Sequence, residues 1–293
     1  MNQQKTKIKT ANEALEKSNL DWIAEEQQLL TASGKQVESH KAIIRTDNNN
    51  VIGVVGKGYR PVQNSEAFAF FDSICKDHDV EYLYAKALNG GHKVFIEARI
   101  GNGNGQAEIR KGDIIENRIK LINSFDGSSG LKVMHTPYRL ICTNGMIAPA
   151  SAMEKRVNLR HTQGIKEKYQ DALILFDASV NAFQHFVEQS RILAQKTVDR
   201  AMVDRFLANL FPVKKNAENE ESTKYKNKLE RIKEYINSGK GNNGSTAWDV
   251  YNGVVEYLDF EGKKADEKRI QSNLFGNGAK VKEEAFEMAM IIK

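Results

Sequence analysis

The sequence predicts an α+β protein: a mostly antiparallel β-sheet with one packed helix, then a long helix and a helical C-terminal region. Three observations predict it. Apolar, β-branched runs separated by turn residues occupy positions 41–148. Asn89-Gly90 joins two of these runs, and Asn-Gly is a strong short-range hairpin signal. Beyond residue 160 the apolar spacing switches to the three-and-four pattern of a helix.

Residues 10–32 read as a helix, with Leu15, Leu20, Trp22, Ile23, Leu29 and Leu30 set among charged residues and Gly34 as its stop. Residues 41–45 and 51–55 form a hairpin around the turn cluster Asp47-Asn48-Asn49-Asn50. Asn64 or Ser65 caps the next helix, whose positive end suits Glu66 and which buries Ala67, Phe68, Phe71 and Ile74. A second hairpin runs from 81–88 through Asn89-Gly90-Gly91 to 93–100. Gly101, Gly103 and Gly105 make a flexible connection. Residues 114–123, 131–135 and 138–142 read as strands, with a loop at 126–130.

Ile165, Tyr169, Ala172, Phe176, Val180, Phe183 and Val187 follow heptad spacing. That face suits packing on the sheet or self-association. Residues 199–211 continue as a helix to Pro212. Residues 214–228, rich in Lys, Glu and Asn, read as an exposed connection or a frayed helix. Gly239 to Gly244 form a hinge, Thr246 caps a helix carrying Trp248 and Tyr251, and Asn277-Gly278 precedes a last helix from Lys280 to Ile292. The expected organisation is an N-terminal helical segment (1–40), an α+β core with basic strands and loops (41–150), a long helical region (151–212), a charged, Gly-rich connection (213–244) and C-terminal helices (245–293).

The chain's 293 residues allow one large domain or two modest ones. No apolar run is long enough to span a bilayer, and no apolar stretch follows Met1 to Lys7 as a signal peptide requires. Two cysteines, Cys75 and Cys142, cannot build a disulfide framework, so a reducing cytoplasm is expected. The net charge of +5 is concentrated. Residues 110–160 carry 9 basic and 4 acidic side chains, whereas residues 1–109 are nearly balanced. A local surplus of this kind is the electrostatic footprint of a polyanion partner, or simply a solvated basic face.

Enzymatic signatures are weak. Gly53 to Gly58 contains Gly-Lys after a strand, but no Ser or Thr follows Lys57 and Pro61 blocks an immediate helix, so a nucleotide-phosphate loop is disfavoured. Gly101, Gly103 and Gly105 do not open a helix, so they make no dinucleotide fingerprint. Cys75 with His78, and Cys142 with His135, lack the paired spacing of a zinc site. Asp113, Glu116 and Asp126 are candidate nuclease carboxylates without the expected surrounding pattern. Ser128 and Ser129 lack a nucleophile elbow. No cofactor or metal is expected.

Nucleic-acid binding fits better. Lys57, Tyr59 and Arg60 follow one strand; Lys132, His135, Tyr138 and Arg139 flank another; Arg156, Arg160 and His161 lead towards the long helix. Cations at strand ends can line a groove that tracks phosphates, and tyrosines between them can stack bases. Nothing suggests sequence-specific readout.

Five separated stretches also resemble a family carried by phages and plasmids, domain of unknown function 932. They are Gly58 to Asn64; Ser124 to Lys132; Thr136 to Asn144; Thr246 to Asn252; and Phe275 to Ala279 ahead of Lys282 and Ala285. The resemblance covers roughly residues 40–290. It implies a mobile-element origin and a bacterial cytoplasm, and no activity. The order of hairpin, helix and basic-looped strands is remotely similar to phage single-strand annealing proteins of the Rad52 and Red-beta type, which form rings or filaments and hydrolyse no nucleotide. The expectation is therefore a phage-type single-stranded DNA-binding protein that promotes annealing and recombination as a homo-oligomer. Lys57, Arg60, Lys132, Arg139, Arg156 and Arg160 would hold phosphates, with Tyr59 and Tyr138 stacking bases. The alternative is a phage counter-defence protein with a host or phage protein as its partner.

Overall fold

A computed structural model describes residues 8, 10–75, 80–101, 105–142, 144–145, 157–161, 169–213, 223–261, 268, 272–273 and 276–293. In chain order the elements are α1 (Ala11–Lys17), β1 (Ala24–Leu30), β2 (Gln36–Arg45), β3 (Val51–Gly56), α2 (Asn64–Cys75), β4 (Val80–Leu88), β5 (Lys93–Ile100), β6 (Gln106–Arg110), β7 (Asp113–Ser124), β8 (Leu131–Arg139), β9 (Asn144–Gly145), β10 (Val157–Leu159), α3 (Tyr169–Gln195), α4 (Arg200–Leu210), α5 (Thr223–Ser238), α6 (Ala247–Phe260) and α7 (Asn277–Ile291). This is the α+β order expected, with antiparallel strands first and helices after. The chain folds as two compact units. One comprises Met1–Gly105, Asn117–His135 and Lys155–Val180; the other comprises Gln106–Glu116, Thr136–Glu154 and Asn181–Lys293.

The first unit holds an antiparallel β1-β2-β3 sheet and the strand order β10-β8-β7-β5-β4. Both expected hairpins form. β2 pairs β3 across the Asn-rich turn, where Asn49 takes φ 58°, and β4 pairs β5 across a 3₁₀ turn at Asn89–Gly91. The helix expected over 10–32 is corrected. It stops at Lys17, Asn19 reverses the backbone at φ 52°, and the chain becomes β1, antiparallel to β2. The reason is visible in the side chains: Leu20, Trp22 and Ala24 are buried while Asp21 and Ile23 are exposed, a period of two rather than 3.6. Gly34, at φ 80°, turns the β1–β2 hairpin instead of ending a helix. Asn64 does not cap α2; its amide nitrogen donates to the Leu20 carbonyl at 2.9 Å. Ala67, Phe68 and Phe71 of α2 join Val94, Ile96, Ala98, Ile119 and Leu121 of the strands in one core, while the Ile74 side chain lies outside the described part.

The second unit packs α3 from Asn181 onward, α4, α5, α6 and α7 around a core centred on Trp248, Tyr251 and Phe286. Here β6 pairs the start of β7, and β9 pairs the end of β8. The strand expected at 138–142 is corrected: Tyr138 and Arg139 finish β8, and Leu140 to Cys142 turn. Residues 223–228, read as connection or frayed helix, begin the regular four-turn α5. Phe183 and Val187 of the heptad pattern are buried in this core; Ile165 and the side chains of Tyr169, Ala172, Phe176 and Val180 lie outside the described part. α6 is central. Its residues from Ala247 to Glu256 are all buried, and Thr246 and Asp249 close a reciprocal capping box at its start.

Gly253 is the point where α6 meets α5. A Cβ there would sit 2.4 Å from Ile236 Cγ1 and 2.7 Å from the Ile236 backbone nitrogen. Backbone cannot yield as a flexible side chain can, so Gly253→Ala is expected to cost about 1–3 kcal/mol of stability by overpacking. A urea unfolding curve with an unchanged midpoint would refute this.

Candidate nucleic-acid interface

The first unit gathers exposed cations at one edge. A turn closed by the Tyr59 amide on the Gly56 carbonyl follows β3, and Lys57 is exposed on it. The next residue joins a distant segment: the Arg60 amide donates to the His161 carbonyl at 3.0 Å. Just before that point, β10 pairs β8 through Val157, Asn158 and Leu159. Exposed Arg160 is thereby carried to the same edge as Arg60. Arg60 shares exposed Glu26 at 3.4 Å with Lys41, a pairing weak in water. Lys57 and Arg160 have no carboxylate partner among the described residues.

Tyr59 is fixed rather than free to stack on a base. Its hydroxyl donates to the Ser124 carbonyl at 2.6 Å, and its ring stacks on His161 with centroids 5.0 Å apart. Burial, with the Asp126 charge, pushes the phenol well above its ordinary value. His161 is buried at 5% exposure, and neither ring nitrogen finds a hydrogen-bond partner among the described residues. Burial lowers its pKa to about 4 against a weaker upward pull from the Arg60 backbone. Asp126 accepts from the Ser124 hydroxyl at 2.6 Å and the Ser128 amide at 2.9 Å. Burial raises its carboxyl, but these bonds and the Lys93 charge outweigh burial and leave it below the ordinary carboxylate range. The asparagine between strand and loop completes the join: Asn123 donates to the Val62 carbonyl at 2.7 Å.

A second basic feature lies on the sheet face opposite the core. Strand alternation puts Val94, Ile96 and Ala98 in the core and Lys93, Glu97 and Arg99 on the other side. The register then sets Glu81 beside Arg99, Tyr84 beside Glu97, Glu97 beside Lys120 and Arg99 beside Arg118. Lys86 and Lys132 alternate with core residues on their own strands and join this face. Among the described residues of this unit, six cations therefore share it with Glu81 and Glu97. Glu97 sits 3.0 Å from Arg118 and 3.3 Å from Lys120, and Glu81 sits 2.6 Å from Arg99. Burial raises the Glu97 carboxyl, yet Lys120, Arg118 and a bond from Tyr84 win and hold it low. Lys93 and Lys120 are buried, while Lys86 is exposed. Sequence reasoning missed Lys93 and Arg99 as part of a face. The signal was their even spacing with Glu97 inside an apolar strand.

The remaining expected residues separate. Lys132 is half-buried in β8 opposite Asn158 of β10, and Tyr138 is half-buried in the second unit opposite Gly145. Arg156 and the His135 side chain lie outside the described residues. Arg139 is corrected: it is fully buried and cannot reach phosphate in solution. Its Nε and Nη2 donate to both Asp113 oxygens at 2.7 and 2.6 Å, Nη1 to Asn242 at 2.8 Å, and Nη2 also to the Gly241 carbonyl at 3.0 Å. Trp248 Nε1 donates to Asp113 at 2.9 Å, and Arg110 pairs with Asp249 at 2.5 Å. This network closes β7, β8, the 239–246 loop and α6 on one another.

The nuclease carboxylates are thereby accounted for. Asp113 is held by Arg139, Glu116 accepts from Gln106 at 3.1 Å, and Asp126 serves its serine turn. Among the described residues no group of three or more His, Cys, Asp or Glu side chains could hold a metal ion. Cys75 and Cys142 are buried and form no disulfide, and the Cys142 sulfur accepts from Arg139 Nη1 at 3.8 Å; His78 lies outside the described residues. Among the described residues no helix is long and apolar enough to cross a membrane.

The family stretches thus meet in pairs, Gly58–Asn64 with Ser124–Lys132 in one unit and Thr136–Asn144 with Thr246–Asn252 in the other. The model of the family described as Domain of unknown function (DUF932) matches residues 51–277, and the chain belongs to that family. No curated protein and no solved structure matches the chain.

Proposed function

We propose that the chain binds single-stranded DNA at the edge formed by Lys57, Arg60 and Arg160 and promotes annealing of complementary strands without nucleotide hydrolysis. The observation that carries this reading is the Arg60–His161 backbone bond, which joins cations 100 positions apart in the sequence on one edge. The basic sheet face adds positive potential to the same unit, which attracts a polyanion before contact. Annealing by such a protein is electrostatic. Screening two phosphate backbones removes their repulsion and leaves base edges free to pair. Assembly into a ring or filament belongs to the same reading, as does the phage-type origin.

The test is fluorescence anisotropy of a labelled single strand and its duplex across a salt series. The wild-type chain is expected to prefer the single strand. Each phosphate contact contributes about 0.7 to the slope of log affinity against log salt. The triple variant Lys57→Gln, Arg60→Gln, Arg160→Gln is expected to flatten that slope by about 2 and to keep its melting temperature. No binding by the wild-type chain at low salt, or an unchanged slope in a folded triple variant, would discard the proposal. A strand-annealing assay then separates annealing from binding alone.

A further inference from the structure

The second unit has a cavity of about 660 Å³ beside α5 and the end of α6, within the size range of small-ligand sites. Among the described residues three cations line it, Lys224, Lys228 and Arg231, with the two tyrosines Tyr225 and Tyr257. Glu261 is the one carboxylate among the described lining residues, and it is already engaged. Arg231 Nε donates to it at 2.6 Å and the Tyr235 hydroxyl at 2.9 Å. Lys228 has no such partner among the described residues. Its ammonium stands 3.3 Å from the centre of the Phe211 ring and half-buried. The ammonium itself sits on the ring as a cation–π pair, and Lys228 belongs to a cavity lining whose described side chains carry a net positive charge, which suits an anion.

The walls define the rest of the ligand. Tyr225 is held in place by its hydroxyl, which donates to the Phe211 carbonyl at 2.8 Å. Tyr257 is half-buried on the opposite helix. Two tyrosines beside ammonium groups that have no carboxylate partner among the described residues match a flat, π-bearing body attached to a phosphate. We infer that this cavity binds a nucleotide, through phosphate on Lys228 and Lys224 and base against the tyrosines. The site is separate from the DNA-binding edge proposed above and stands without it. A free mononucleotide and the 5′-phosphorylated end of a strand share this chemistry.

Calorimetric titration of the full chain with AMP, adenosine and inorganic phosphate tests it. AMP is expected to bind more tightly than either fragment. Lys228→Gln is expected to weaken AMP at least tenfold with an unchanged melting temperature, and Tyr257→Leu provides a second test should that variant fail to fold. The pH response is a further signature. Burial lowers Lys228 to about 8, so its charge is present at pH 7 and mostly lost at pH 9. Over that range the AMP phosphate stays dianionic, Arg231 and Glu261 keep their charges, and burial, with the Glu261 charge, holds Tyr257 neutral. Lys224 also faces the cavity, so its Gln variant is the control. AMP affinity is expected to fall up to about tenfold from pH 7 to 9 in the wild-type chain and to stay level in Lys228→Gln. The triple variant that lacks the DNA edge separates the two sources. Displacement of AMP by a 5′-phosphorylated strand, but not by its 5′-hydroxyl twin, assigns a strand end; displacement by neither assigns a free nucleotide. No binding of AMP at millimolar concentration, phosphate binding as tightly as AMP, or equal AMP affinity in Lys228→Gln would overturn the inference.

Discussion

Arg139→Met is expected to destabilise the second unit by about 3–5 kcal/mol, the usual loss when one member of a buried ion pair is removed. The size follows from what is left behind. Asp113 is 2% exposed, and without Arg139 it keeps Trp248 Nε1 at 2.9 Å and a looser approach from Arg110 Nε at 3.5 Å. A carboxylate with so little compensation cannot return to water without opening β7. Asn242 loses this donor, and the Gly241 carbonyl keeps only Arg110, so the 239–246 loop loses its bonds to the end of β8. Removing both charges, in Arg139→Met with Asp113→Leu, is expected to recover a large part of the loss, because no orphaned ion remains. Urea unfolding of the two singles and the double measures this. A single Arg139→Met variant within about 0.5 kcal/mol of wild type would show that the network is not closed as described. The same burial removes Arg139 from the residues expected to hold phosphate, so charge reversal there tests the fold and not DNA binding. A glutamate there would face Asp113, and loss of the fold is the expected result.

How much of this was legible in the sequence depended on the range of the cause. Hairpins set by adjacent turn residues were readable: Asn89-Gly90 and Asp47 to Asn50 turn where they were expected to. The capping box at Thr246 was half readable, from the threonine ahead of an apolar run. β1 was not, because its charged residues Glu25 and Glu26 look helical until β2 supplies a partner. α5 was misjudged for the opposite reason. Its only buried positions, Ile232 and Ile236, lie in its second half, and its first half offers the core only the half-buried Tyr225 and Leu229. The site divided along the same line. Exposure of Lys57, Arg60 and Arg160 is local and was anticipated. The burial of Arg139 is decided by Asp113, Asn242 and Gly241, far away in the sequence, and a lone arginine among Tyr138, Leu140 and Ile141 carries no sign of it. Residue identity alone cannot tell a phosphate ligand from a buried counter-ion.

The last expectation concerns His161, where the sign of a pH effect separates a structural role from a solvated one. In the folded chain its pKa is lowered to about 4, against an ordinary value near 6.5. Between those values the unfolded chain binds a proton that the folded chain excludes, so stability rises with pH across that window. The contribution is complete above about pH 6.5 and is lost as pH falls towards 4. At about 1.4 kcal/mol per unit, it amounts to roughly 3 kcal/mol. The cause is structural: protonation would charge a ring that is buried, stacked on Tyr59 and flanked in sequence by Arg160. His161→Phe keeps a ring against Tyr59 and removes the titration. Urea unfolding free energies of this variant and wild type at pH 7 and pH 4.5 are expected to show a much smaller drop on acidification in the variant. Glu256, whose carboxyl burial raises, is common to both chains, and its contribution cancels in the difference. Equal drops in the two chains would place His161 in contact with water, and with it the Tyr59–His161 stack on which the Arg60 edge rests.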